Sequence, residues 1–450
     1  MDNDSYAIML AGPPAGAGMT LRSRAAFFAL ASLVFITGCG DTFRPIATTI
    51  TSGGGDPQVR RHAIVISNNG PGADGAATHI NIAGDTNAGQ VPLGQDPVHA
   101  GVIPGNALTF VANRASSSGK PSVTAYSTFD QPVSPALPLS TTLPDNAAPA
   151  FVYPIIGQTY VALPGVNTVG ILSPSQGGLQ GQIAVGTTPV AITGFPDGVR
   201  VFVANQGSND VSVIRSSDNT VVATVPVGTA PSAITISADA KYVYVVNRGS
   251  NSVSVIDTAT NTVTATVPVG ATPTFAAFDA KNLRVYVANS GANTVTVIHA
   301  DPNQTGASTP PCSTNCFLST SIVTVGNNPV ALTVLADGSR FYVANSGSNS
   351  ISVVGGLSLA VQTTLTVANP AGGNLRPVHL ASSSDSTKVV VALQDTVPVT
   401  ASDPDASAIV TIRTSDHLMT TIPAPTAPGA CANATLGACR MKPVYVTITP

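Results

Sequence analysis

The chain has 450 residues, and only 9% of them are charged, against about a quarter in an average globular domain. The net charge of −3, with no basic cluster, excludes a surface built to neutralise a phosphate backbone, so no nucleic-acid partner is expected. Trp is absent and aromatics make up 5%, which argues against a sugar-stacking platform. Val, Thr, Ser, Asn and Gly fill the space left by charge, the composition of strands and tight turns.

The first segment, 1–18, carries Asp2 and Asp4, which do not suit an export signal. It is read as an upstream over-call, with Met19 as the start. Arg22 and Arg24 then precede an apolar run from Ala25 to Ile36. A bilayer span needs about 20 apolar residues, so this run has the length of a signal-peptide core instead. It ends Ile36-Thr37-Gly38-Cys39, which resembles the bacterial lipobox. That resemblance implies a signal peptide over 19–38 and lipidation of Cys39. It also implies an exported cell-envelope lipoprotein of the outer membrane, attached to the membrane through the lipid alone. Residues 39–60 are rich in Thr, Gly and Pro and read as a flexible tether.

From residue 61 to 450 a repeat takes over. Asn205 returns as Asn247 and Asn289, Gly228 as Gly270, and Pro231 as Pro273, each 42 residues on. A fixed period in this range marks a repeat architecture. Each unit holds four short runs rich in Val, Ile, Thr and Tyr, bounded by Gly, Asn, Asp or Ser. Arg200–Ala204, Asp210–Ile214, Thr220–Val227 and Pro231–Ser237 are examples. Such runs read as strands closed by turns. Val201 and Val203 share one face and Phe202 and Ala204 the other, so both faces of the sheet are to be covered. Four-stranded sheets stacked around an axis meet that need, and the fold class expected is an all-β closed β-propeller.

The proline that opens each first strand stands at Pro97, Pro149, Pro189, Pro231, Pro273, Pro329, Pro377 and Pro443. Eight sets predict eight blades; seven is the alternative if the weak copy at 106–158 is irregular. The repeats start on a second strand, His62–Ser67, and end on a lone first strand, Val444–Thr449. Pairing of these two closes the ring and leaves no open edge. The runs FVANQGSNDVSVI, YVVNRGSNSVSVI, YVANSGANTVTVI and YVANSGSNSISVV resemble the YVTN-type β-propeller family. The resemblance implies a propeller and little about activity, since one fold hosts many chemistries.

Four cysteines, Cys312, Cys316, Cys431 and Cys439, lie in two close pairs within insertions. In an exported protein they read as disulfides, with the adjacent pairings favoured among three. The repeated Asn205, Asn247, Asn289 and Asn345 read as turn residues that tolerate left-handed dihedrals. Gly228, Gly270 and Gly326, and the Asp-Gly turns at Asp197 and Asp337, read as structural too. Asp403 and Asp405 lack the spacing of a calcium loop.

The residues that break the repeat are more informative. Two positions after the proline stands Ala or Phe in most units, but His99, His379 and Tyr445 in three that a closed ring makes neighbours. First strands line the channel, so these side chains are expected to meet near one mouth, with Arg376 and Asp96 adding charge. Every one of the 22 acidic residues is Asp, which shrinks the pool of catalytic acids. The expectation is therefore a non-catalytic binding or structural scaffold, monomeric, with no metal and no cofactor. Its partner is an unidentified protein or small molecule at a propeller face. The alternative is a lactonase-like or quinoprotein-like enzyme with its site in the channel near His99 and His379.

Overall fold

A computed structural model describes residues 62–69, 74–103, 108–114, 119–128, 139–173, 178–300, 317, 320–367, 375–395, 407–425 and 441–449. Cys39 and the signal segment, Cys312, Cys316, Cys431, Cys439, Asp403 and Asp405 lie outside them. The expected bridges therefore lie wholly outside the described residues and are carried no further.

Eight four-stranded antiparallel sheets form among the described residues. The unit read most easily from sequence holds Pro231–Ile236, Tyr242–Asn247, Ser252–Asp257 and Thr262–Pro268, in that spatial order. Blades are numbered here from the N-terminus. Blade 1 takes its second to fourth strands from His62–Asn68, Asp74–Asn81 and Thr86–Gln95, and its first strand from Lys442–Ile448. The ends pair antiparallel, with Ala63 opposite Ile448 and Ile66 opposite Tyr445. His62 N–H donates to Thr449 Oγ1 at 2.9 Å, which seals the seam. The first strands of blades 2 to 8 are Pro97–Val102, Phe151–Ile155, Pro189–Gly194, Pro231–Ile236, Pro273–Asp279, Pro329–Val334 and Leu375–Ser382. Each packs against the next, and the last returns to Lys442–Ile448, so the ring closes on eight blades. The weak copy at 106–158 supplies regular strands to blades 2 and 3, which removes the seven-bladed alternative.

The two-faced apolar pattern has the expected consequence. Val201, Phe202, Val203 and Ala204 are all 0% exposed, packed between neighbouring blades. Burying one such valine contributes about 1.5–3 kcal/mol, and the second strand of every blade repeats the pattern.

The repeated asparagine does not play the part expected of it. Asn205, Asn247, Asn289 and Asn345 are strand ends, buried to 0% exposure, and their φ angles are not positive. The carboxamide of Asn247 donates through Nδ2 to Ser252 Oγ at 3.2 Å and Ser254 Oγ at 2.9 Å, tying second strand to third. The left-handed residue is the asparagine four positions on: Asn209, Asn251, Asn293 and Asn349, at φ 58°, 49°, 56° and 47°. That second asparagine reaches the following blade, as when Asn251 Oδ1 accepts Thr272 N–H at 2.9 Å. The glycines fit around the first one. A Cβ on Gly228 would lie 2.7 Å from Asn247 Cγ, too close for any side chain. The Asp-Gly turns stand as expected: Asp197 Oδ1 accepts Val199 N–H at 3.0 Å, with Gly198 at φ 74°.

Candidate active site in the central channel

A proline begins the first strand in blades 2, 4, 5, 6 and 7, lies one or two residues inside it in blades 1 and 8, and stands two residues before it in blade 3; it has no N–H to give a ladder. In blades 2, 4, 5, 6, 7 and 8 the register shifts between that proline and the residue two beyond it, as at Pro97/His99 and Pro377/His379. In blade 1 the shift falls at Ile66/Ser67, opposite the stretch from Pro443 to Tyr445. A bulge bends a strand and re-aims the side chain after it. Here it presents the variable position, two after the proline, to the channel. Going round from blade 1, that position holds Tyr445, His99, Phe151, Ala191, Ala233, Phe275, Ala331 and His379.

The large residues fall on consecutive blades. Phe151 stacks on His99 with ring centroids 3.7 Å apart and planes at 28°. His99 lies 4.3 Å from Tyr445, and Tyr445 lies 4.2 Å from His379. A tilted column of four rings thus crosses blades 8, 1, 2 and 3, with Tyr445 between the two histidines. Phe275, from blade 6, meets His379 edge-on at 5.8 Å and interplanar 77°. It reaches there past Ala331, whose small side chain leaves room. The three residues singled out in the sequence are therefore together. Phe151 and Phe275 complete the cluster; they occupy the same position after the proline, and that shared position was the signal by which they could have been found.

Each histidine is held the same way. His99 Nδ1 accepts the backbone N–H of Val152, in blade 3, at 3.2 Å. His379 Nδ1 accepts the backbone N–H of Val446, in blade 1, at 3.3 Å. In both cases the donor is the residue three after the next blade's proline. Burial pushes His99 down to about 3, with the nearby His379 charge adding to the effect. Burial alone pushes His379 down to about 4. Burial raises the Tyr445 phenol. All three groups are consequently uncharged at neutral pH.

The two charges expected at the mouth are engaged separately, each with other partners. Asp96 accepts from Asn68 Nδ2 at 2.5 Å and pairs with Arg114 at 3.5 Å. Arg376, exposed, donates to Gln394 Oε1 at 3.4 Å. Among the described residues no three His, Cys, Asp or Glu side chains gather as metal ligands. A second histidine cluster, missed in the sequence, joins blades 1 and 2 away from this column. His79, fully buried, meets Tyr126 Oη through Nε2 at 3.2 Å, and its ring lies 5.9 Å from that of His62. Burial pushes His79 down to about 4, with the His62 charge adding.

Comparison with known proteins bears on what such a channel does. Residues 219–311 and 257–416 match a family model described as lactonase, 7-bladed beta-propeller. The matched stretch covers less than half of the chain, and the chain has eight blades. No curated protein matches the chain. Among solved structures it is similar to dihydro-heme d1 dehydrogenase NirN in complex with DHE, at 13% identity and TM-score 0.63, over 85% of this chain and 78% of that one. It is also similar to apo AztD from Citrobacter koseri, at 11% identity and TM-score 0.57, over 86% and 98%. A third is a putative 6-phosphogluconolactonase from Bacteroides uniformis, at 13% identity and TM-score 0.51, over 87% and 100%. At these identities the structures establish the β-propeller fold. The lactonase match corrects the expectation of a non-catalytic scaffold and favours the enzyme alternative. The scarcity of acidic residues had weighed against catalysis, but polarising a carbonyl with neutral donors requires no carboxylate.

Proposed function

We propose that this propeller is a lactonase-type hydrolase whose site is the channel around His99, Tyr445 and His379. The observation that carries the reading is the ring column itself. At a position that is alanine in three blades, three neighbouring blades place a polar ring instead, each aimed by a bulge. The match of 219–416 to the lactonase model supports the reaction class. In that reaction water adds to the carbonyl carbon of a cyclic ester, and the ring C–O bond breaks to leave a carboxylate and an alcohol. The substrate class is a small uncharged lactone, because the site's own groups are uncharged. The test is acid release from a panel of simple lactones by the purified protein. Release above the uncatalysed rate supports the reading, and none across the panel refutes it.

We further propose that the chain belongs to the YVTN-type repeats and is exported and anchored at the cell envelope through Cys39. The four quoted repeat runs support the first part. Arg22, Arg24, the apolar run 25–36 and the Gly38-Cys39 junction support the second. Changing Cys39→Ala should release the protein from the membrane fraction; unchanged partitioning into detergent would count against the anchor.

A further inference from the structure

We infer that His99 and His379 serve the channel as neutral Nε2–H hydrogen-bond donors, electrophiles toward an uncharged carbonyl oxygen, and not as bases or metal ligands. The inference deepens the proposed function and rests on the channel being its site. It begins with the two backbone bonds. A neutral imidazole has one N–H and one lone pair, and the partner of one nitrogen decides which is which. In both blades Nδ1 faces a backbone N–H, which can only donate. A proton on Nδ1 would set donor against donor. The proton must therefore sit on Nε2, and a second proton cannot be added without breaking the bond to Val152 or Val446.

The same arrangement appears twice, on the two blades that flank Tyr445, and the ring faces are fixed by stacking on Phe151 and Tyr445. Neither ring can turn without losing both its hydrogen bond and its stack. The charged and titratable groups on the packed first strands do not offer protonation an ally. Lys442 and Arg376 are cations, three residues before Tyr445 and His379. Tyr153 donates its hydroxyl to Gly194 O at 3.2 Å. Asp279 lies at the far end of its strand and accepts from Tyr286 Oη at 3.1 Å. Asp96, on the loop before Pro97, is taken by Asn68 and Arg114. Burial of both rings acts in the same direction.

Two N–H donors in a partly desolvated channel suit an oxygen on which negative charge develops, as on the carbonyl oxygen of an ester under attack. No proton need move through either ring. The step asks of each histidine only that it donate more strongly as the carbonyl oxygen becomes an alkoxide. A site of this kind takes a carbonyl group and is indifferent to pH across the range where histidine ordinarily titrates.

The experiment is nitrogen NMR of the full chain labelled with ¹⁵N-histidine, from about pH 5 to 8, the window of an ordinary histidine. His99 and His379 should each show a protonated Nε2 and an unprotonated Nδ1, unchanged across that range. A proton on Nδ1, or a midpoint near 6.5 for either ring, overturns the inference. Signals are assigned by loss in His99→Gln and His379→Gln. Should either variant not fold, ring contacts to Phe151 and Phe275 assign them in the unaltered chain. γ-Butyrolactone is the probe for function. Glutamine also donates an N–H, so the Gln variants should keep ring-opening within about tenfold, whereas Leu variants should lose about 100-fold, the usual scale for an oxyanion donor. Equal loss in Gln and Leu variants overturns the donor role. If neither γ-butyrolactone nor any other lactone of the panel is opened while both tautomers are as stated, the hydrolase reading fails and the tautomer assignment stands.

Discussion

At the residue scale, two asparagines four positions apart divide one task. Asn247 is buried and ties two strands of its own blade, while Asn251 takes the left-handed turn and reaches the next blade. Sequence spacing shows both and cannot say which is which, because either residue type suits either place. The consequence differs. Asn247→Ala takes from Ser254 Oγ the nearer of its two donors, leaving it only Gly228 N–H at 3.3 Å, at a cost of about 1 kcal/mol in denaturant melts. His79 and His99, buried, and His379, half-buried, make a pH prediction. His79, His99 and His379 have folded values of about 4, 3 and 4, below the ordinary 6.5. The unfolded chain then binds more protons below pH 6.5, so stability is full above that value. It falls as pH drops toward 4, by up to about 1.4 kcal/mol per pH unit for each histidine. Melting followed from pH 7 to 4 should show a steep loss that His379→Gln makes shallower. A flat profile would mean that these rings are not buried neutral.

At the scale of elements, a polar side chain at the start of a second strand hooks the turn after the following blade's third strand. Gln158 Nε2 donates to Ser216 O at 2.9 Å, Arg200 Nη1 to Thr258 O at 2.6 Å, and Arg340 Nη1 to Thr414 O at 2.7 Å. The ring's last joint uses an ion pair between Lys388 and Asp85, with side-chain exposures of 14% and 20%. Strands and turns were legible in the sequence because each has local chemistry. These hooks were not, since the acceptors are backbone carbonyls 58 to 74 residues away. Arg340→Ala should cost about 1 kcal/mol, the lower end for a charged donor because its end is partly solvated. Lys388→Ala leaves a partly buried Asp85 carboxylate unpaired and should cost more, about 1–3 kcal/mol. The order of the two melting shifts is the check.

At the scale of the molecule, the count of eight and the closing strand were legible because the proline recurs eight times and the repeats begin on a second strand and end on a first. The aromatic column was legible only in part. Three of its members stood out as exceptions to the repeat, whereas Phe151 and Phe275 passed as ordinary apolar residues until the folded ring set them against His99 and His379. Deleting 442–450 removes the first strand of blade 1 and Tyr445 together. It should lower the melting temperature of the whole ring and broaden its transition, and unchanged melting would mean that the ends are not what closes it. The account's central claim is that this column is a catalytic site. The most direct measurement is the initial rate of γ-butyrolactone opening by the full chain and by His99→Leu/His379→Leu, both checked for an intact β-sheet spectrum. The account predicts a rate above background that the double variant loses by at least about 100-fold. A double variant as fast as the unaltered chain would contradict it.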